Sequence, residues 1–195
     1  STASIPFDPE QARRLLSEAG FPNGRGFPKI EFLYNNSEMH RQIGEALQQM
    51  WKKNLNVEIS LLNQEWKVYM DSMKQMNYDI VRSGWIGDYA DPNTFLDLWV
   101  TDGGNNRTGW SHPEYDQLIR EASGTLDKTR RFELLDRAEN LVIDQVPFLP
   151  VFFYTRVFLL HPSVRGWHPT ILDHHPYKYV YLERPTPQPN GTASP

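Results

Sequence analysis

At 195 residues the chain is long enough for one domain with a sizeable core, and 39% hydrophobic with 23% charged residues marks it as globular rather than disordered. A net charge of −4, with no Lys/Arg run longer than two residues, argues against a nucleic-acid footprint or a polybasic membrane patch, and no apolar run is long enough to span a bilayer. The absence of cysteine excludes disulfides, zinc–thiolate sites and thiol nucleophiles.

In chain order, Ser1-Thr2-Ala3-Ser4 reads as the start of a fragment, with no signal peptide. Asp8-Pro9-Glu10 opens a helix as N-cap, first-turn proline and early acidic charge. Ala12, Leu15, Leu16 and Ala19 form its apolar face and Gly20 ends it. A turn-rich loop, Phe21 to Pro28, leads to a strand over Lys29 to Tyr34. Ser37 caps a long helix with Met39, Ile43, Leu47, Met50, Trp51 and Leu55 at helical period, and Trp51 is assigned to the core. Alternation at Val57, Ile59 and Leu61 gives a second strand, Glu65 to Met76 a helix, and Tyr78 to Arg82 a third strand. The order βαβαβ implies parallel strands. A short helix follows over Asn93 to Trp99. Ser111-His112-Pro113-Glu114 reads as a capping box before a helix with Tyr115, Leu118, Ile119 and Ala122 inward. Asp127 starts the next, with Phe132, Leu135, Ala138, Leu141 and Val142 inward. Val146 to Leu160 is rich in strand formers, broken or edged by Pro147 and Pro150, and Tyr177 to Leu182 supplies a last strand. Residues 1–183 are read as a single α/β domain, and 184–195, with four prolines in twelve residues, as a disordered tail.

The most informative stretch is Arg82-Ser83-Gly84-Trp85-Ile86-Gly87-Asp88-Tyr89-Ala90-Asp91-Pro92. It follows the carboxyl end of a strand, where ligands bind in open α/β sheets, and precedes a helix that Asp91 and Pro92 are suited to start. It offers a carboxylate beside aromatic surface, with a cation at the strand end. That suits a zwitterion with an apolar body; the bland alternative is a core-plugging Trp with turn and cap residues around it.

Gly84-Trp85-Ile86-Gly87-Asp88-Tyr89-Ala90-Asp91-Pro92 resembles the signature loop of the oligopeptide-binding proteins that serve bacterial ABC importers, the extracytoplasmic solute-binding proteins of family 5. Two further matches lie upstream in the same order, Leu33-Tyr34-Asn35-Asn36-Ser37-Glu38-Met39-His40 and Asn63-Gln64-Glu65-Trp66-Lys67, and the likeness runs from about Phe7 to Glu183. It implies the C-terminal lobe of a two-lobed protein of periplasmic-binding-protein type II architecture, with a βαβαβ core, a mostly parallel sheet, and C-terminal helices and strands. It implies an oligopeptide ligand, an N-terminal lobe and an ABC permease as partners, and a periplasmic or extracytoplasmic location, membrane-tethered in Gram-positive organisms. Ile86 stands where some relatives place a disulfide-forming cysteine, so no such staple exists here.

By that resemblance Asp88 holds the peptide's α-ammonium, a charge-assisted contact, and Trp85 and Tyr89 line the cleft. Trp66 is either another wall or a core residue. Arg82 and His40 fall where relatives offer cations to a peptide's C-terminal carboxylate, which the guanidinium fork fits; His40 reads equally as a solvated first-turn residue. His161, His168, His174 and His175 lack two-ligand spacing, so no metal and no cofactor is expected. No Gly-x-Ser-x-Gly elbow, His-Glu-x-x-His pair or Walker loop is present, so no catalysis is expected, and a hydrolase is a distant reading. The alternative to transport is a stand-alone lobe acting as a protein-interaction module. A lone lobe is expected to self-associate through its exposed cleft face.

Overall fold

The computed structural model describes residues 3–183; the proline-rich stretch read as a tail lies outside them. Two compact units emerge, one of Ser1–Trp85 with Pro92–Leu149, the other of Ile86–Asp91 with Pro150 onward. In the first, α1 (Pro9–Glu18) starts as expected, with the Asp8 carboxylate accepting from the backbone N–H groups of Glu10 and Gln11. It closes with Gly20 N–H donating to Ser17 O and Phe21 N–H to Leu16 O, each at 3.0 Å, the paired bonds that satisfy carbonyls at a helix end. Leu15 is nevertheless 52% exposed, because only the Leu16 side of this helix meets the core.

Three strands form a parallel sheet in the order β2-β1-β3: β1 (Ile30–Asn35) in the centre, β2 (Ile59–Gln64) on one side and β3 (Ile80–Val81) on the other. Helices α2 (Glu38–Leu55) and α3 (Trp66–Lys74) make the crossovers. The side-chain period of two along β1 sends Phe32 and Tyr34 to one face, against Leu47, Trp51 and Leu55 of α2. Leu33 goes to the other face, against Tyr69 and Met73 of α3. The sheet is thus covered on both faces, as parallel sheets require. β3 is shorter than its Tyr78–Arg82 expectation for a local reason. At its start the Asp79 carboxylate, rather than a strand carbonyl, accepts the Glu31 N–H at 2.9 Å.

Two glycines set close approaches. A Cβ on Gly24 would lie 2.5 Å from the Asn56 carbonyl oxygen, where the turn after α1 presses on the end of α2. Gly44, the one buried residue of α2, sits against the sheet; a Cβ there would lie 3.2 Å from Leu61 Cδ2 and 3.4 Å from a Phe32 ring carbon.

Beyond the sheet, α4 (Asn93–Leu96) runs into a 3-10 turn over Asp97–Trp99, and α5 (Pro113–Gly124) pairs with α6 (Lys128–Gln145). Tyr115, Leu118, Ile119 and Ala122 are all buried as expected. The Tyr115 hydroxyl donates to the Leu96 carbonyl, tying α5 to α4. The loop between is held by Asn106, whose amide donates to the carbonyls of Trp99, Val100 and Trp110. Asp127 caps α6 through the Arg130 N–H.

Several expectations are corrected. The capping box at Ser111 does not form: Pro113 fixes the helix start, His112 takes the cap position, and Ser111 Oγ lies 2.9 Å from Thr101 Oγ1. Phe132 is 42% exposed under Lys128 Nζ, because the buried stripe of α6 is Leu134, Leu135, Ala138 and Val142, with Leu141 only half-buried. Val146 to Leu160 contains no strand among the described residues, since β-formers make a strand only where another strand offers its edge. The final strand is limited to β5 (Tyr181–Leu182), antiparallel to β4 (Val164–Arg165), after a 3-10 turn over Tyr177–Tyr179. In the second unit no described residue is buried. Its cohesion comes from Trp167, stacked on His175 at 4.6 Å and edge-on to Phe158 at 4.3 Å. No helix among the described residues is long and apolar enough to cross a membrane.

The register of α6 gives a direct test. Leu134→Ala should cost roughly 2–5 kcal/mol in urea unfolding, whereas Phe132→Ala should cost under about 1 kcal/mol. Equal losses would mean the stripe begins a turn earlier.

Candidate functional site

Because β1, β2 and β3 run the same way, the segments following all three leave from one edge of the sheet. After β1 come Asn36, the cap Ser37 and His40; after β2 come Glu65 and Trp66; after β3 comes Arg82. Short hydrogen bonds lock these departures together. Asn36 N–H donates to Gln64 O at 2.9 Å, and Arg82 N–H donates to Leu33 O at 2.8 Å, prolonging the β1–β3 ladder by one bond. Ser37 Oγ accepts from His40 N–H, as its cap role predicts, although at 3.5 Å the bond is long.

The electrostatics of this edge are set by Arg82 and His40. Both are half-buried. Burial lowers the Arg82 pKa without discharging a guanidinium. His40 is held below its ordinary value, first by burial and then by the neighbouring Arg82 charge; the Asn35 backbone works the other way. Arg41, next in sequence, pairs outward with Glu38 and Glu45. Asn35 Oδ1 and His40 Nδ1 are buried and have no hydrogen-bond partner among the described residues, as is also true of His112 Nδ1 elsewhere in the chain. The arrangement can bind an anionic group through the guanidinium while the imidazole stays neutral at physiological pH.

Trp66, the first residue of α3, is 55% exposed, so it is not a core residue, and it stacks on Tyr69 at 5.6 Å. Trp85, three residues past Arg82, is 37% exposed. Asp88 and Tyr89 are exposed residues of the second unit, in a turn closed by Asp91 N–H on Tyr89 O at 2.9 Å. The first unit therefore brings together His40, Arg82 and Trp66, whereas Asp88 and Tyr89 are placed in the second.

Sequence reading passed over Tyr69. It is 2% exposed and its hydroxyl donates to the Arg82 carbonyl. The available signal was its position three residues after Trp66 on a helix, which puts the two rings on adjoining faces. Among the four C-terminal histidines, His175 Nε2 meets Asp173 Oδ1 at 2.9 Å, and Asp173 also pairs with Arg156 at 3.0 Å. No group of three or more potential ligands for a metal occurs among the described residues.

The His40 environment makes a signed prediction. Its imidazolium is disfavoured in the fold, so the folded chain binds fewer protons than the unfolded chain near and below pH 6.5. The stability tied to His40 is therefore fully present above the unfolded value and lost as pH falls through the depressed folded-state pKa. NMR titration should place the His40 midpoint below 6.5, and Arg82→Met should raise it, since burial alone then opposes protonation. A wild-type midpoint at or above the ordinary value would contradict this account.

Residues 1–107 match the model of the family described as bacterial extracellular solute-binding proteins, family 5. The oligopeptide-binding protein OppA of Bacillus subtilis is 42% identical over 158 residues, a span covering 80% of this chain but 29% of that relative. The periplasmic murein peptide-binding protein MppA of Escherichia coli is 39% identical, again over 80% of this chain and 29% of its own length. A solved periplasmic oligopeptide-binding protein of Borrelia burgdorferi superposes with a TM-score of 0.80 at 36% identity, over 94% of this chain and 37% of that one. The chain thus spans about a third of the length of the proteins it matches. Its doubly covered parallel sheet is that of a periplasmic-binding-protein type II lobe, and the chain belongs to the bacterial extracellular solute-binding proteins of family 5.

Proposed function

We propose that this chain is the C-terminal lobe, residues 1–183, of an oligopeptide-binding protein that delivers peptides to an ABC importer. The observation that carries the reading is the grouping of Arg82, His40 and exposed Trp66 past the carboxyl ends of three parallel strands. In this reading Arg82 takes the peptide's C-terminal carboxylate bidentately, and His40, neutral beside it, contributes a hydrogen bond rather than a second charge. Asp88 holds the α-ammonium. Trp85, Tyr89 and Trp66 give apolar contact that does not demand one side-chain shape, and water fills unused space, which suits a broad range of peptides. The protein binds and releases its ligand without turnover. It works outside the cytoplasmic membrane, tethered to it in a Gram-positive host, and hands peptide to a membrane permease.

The remaining partner is an N-terminal lobe that closes over the peptide. Support for it comes from apolar surface. Phe153 is 97% exposed, Val157 91% and Leu159 99%, alternate residues of a stretch with strand-forming composition and no strand. A monomer rarely leaves such a row bare. Without that lobe, water reaches the ion pairs of a bound peptide, and exposed ion pairs contribute only about 0–1 kcal/mol against the cost of ordering the ligand. The isolated chain also self-associates through its exposed cleft face.

Titration calorimetry separates these expectations. The 195-residue chain should bind mixed tri- to pentapeptides at ~1 mM or weaker, and Asp88→Ala should change that little. In a polypeptide carrying both lobes the same substitution should cost roughly 2–5 kcal/mol, because it strands a buried ammonium. Micromolar binding by the isolated chain would refute the need for a second lobe, and cleavage of the peptides beyond stoichiometry would refute a pure binding role.

A further inference from the structure

The loop between the Asp97–Trp99 turn and α5 carries a further arginine, and the chain is pinned on both sides of it. Asn106 directs its amide N–H groups to the carbonyls of Trp99, Val100 and Trp110, and its side-chain oxygen accepts from the Thr108 N–H and hydroxyl. The Arg107 carbonyl accepts from the Tyr78 hydroxyl, which ties the loop to the residues leading into β3. The Arg107 backbone is thus fixed, whereas its guanidinium meets no acid. Arg107 is half-buried, its Nη1 rests 4.0 Å from the Met70 sulfur on α3, and it takes part in none of the ion pairs among the described residues. A thioether is a weak acceptor, so most donors of this guanidinium are left for solvent or a ligand.

Tyr69, next to Met70 on α3, locates the charge. Burial pushes the Tyr69 hydroxyl up, and the charges of Arg82 and Arg107 both oppose it, so two guanidiniums from different elements lie within electrostatic reach of one oxygen. That hydroxyl bonds the Arg82 carbonyl and Ser83, at the end of β3. The His40 ring feels Arg82 and not Arg107. Arg107 is therefore a second cation near this sheet edge, standing apart from the Arg82–His40 pair.

We propose that Arg107 is a specificity-determining residue, a second guanidinium that takes the acidic side chain of a peptide whose terminal carboxylate lies on Arg82. The proposal rests on the peptide-binding reading. A peptide ending in Glu carries two carboxylates on one residue, and each suits a planar fork. A peptide ending in Gln has nearly the same shape and one carboxylate fewer. Because the loop is already pinned, taking the second carboxylate orders little more than the arginine side chain.

NMR titration of the 195-residue chain with Ala-Ala-Glu and with Ala-Ala-Gln tests this. The wild type should bind Ala-Ala-Glu about fivefold more tightly, and Arg107→Met should erase the preference. Equal affinities in the wild type, or a preference that survives in Arg107→Met, would overturn the proposal and leave the peptide-binding reading standing. Should the methionine variant not fold, the wild type decides. Its Arg107 Nε–H resonance should move with Ala-Ala-Glu and stay in place with Ala-Ala-Gln, and any other pattern rules the role out. If neither peptide binds, the peptide-binding reading fails and glutarate, a free dicarboxylate, decides on the paired guanidiniums. Glutarate should then move the Nε–H resonances of both Arg82 and Arg107, with the Arg82 response weakened about fivefold in Arg107→Met. No movement at Arg107, or an Arg82 response that the substitution leaves unchanged, excludes the pairing.

Discussion

Central strand β1 pairs in parallel with β2 on one side and β3 on the other, and the placement of His40, Trp66 and Arg82 follows from that fact. In an antiparallel arrangement the segments after alternate strands would leave from opposite edges. Here all three leave from the same edge, so residues far apart in sequence meet without any loop having to travel. The core supplies the rigidity: Phe32 and Tyr34 are locked against α2, and Leu33 against α3, so the strand cannot slip by one residue without exchanging its two faces.

Electrostatics at that edge divide labour between two basic side chains. Arg82 keeps its charge at any accessible pH, and burial, with the Arg82 charge adding to it, disfavours a charge on His40. An anion at this edge would meet one full charge and one neutral hydrogen-bonding ring. This limits the self-repulsion of the empty site, because two adjacent cations without a ligand would push each other apart. The unsatisfied Asn35 and His40 atoms carry a further cost in the fold, one that core packing alone would have selected against.

Much of this was legible in the sequence because it depends on short-range chemistry. Asp8, Ser37 and Asp127 cap helices as their positions suggest, and the alternation of strand and helix periods fixed the parallel sheet. The candidate residues were found through three motifs at strand ends, and the exposure of Trp66 rules out its core reading. What escaped depends on tertiary context. Phe132 fits a helical stripe as well as Leu134 does, and only the partner helix selects between them. Ser111 satisfies a capping pattern but is drawn to Thr101 across a loop. Val146 to Leu160 has the composition of a strand, and composition does not reveal whether an edge is available to pair with it. Tyr69 was invisible for a different reason: its importance lies in a bond to a main-chain atom, which leaves no trace in the partner's identity.

Gly44 has a mechanical consequence. It lies four residues after His40 on α2, hence one turn along the same side of the helix, at the point where that helix touches Phe32 and Leu61. The missing side chain lets the helix rest directly on the sheet, and the contact acts as a fulcrum with the imidazole on its short arm. Even a methyl group there must push α2 outward by a few tenths of an ångström or displace Leu61 and Phe32. Tilting the helix about that point carries the imidazole with it, so a change made wholly inside the core would be read out as a change in where His40 stands beside Arg82. The strand-end edge can therefore be re-aimed by adjusting what fills the space under α2, with His40 and Arg82 themselves left as they were.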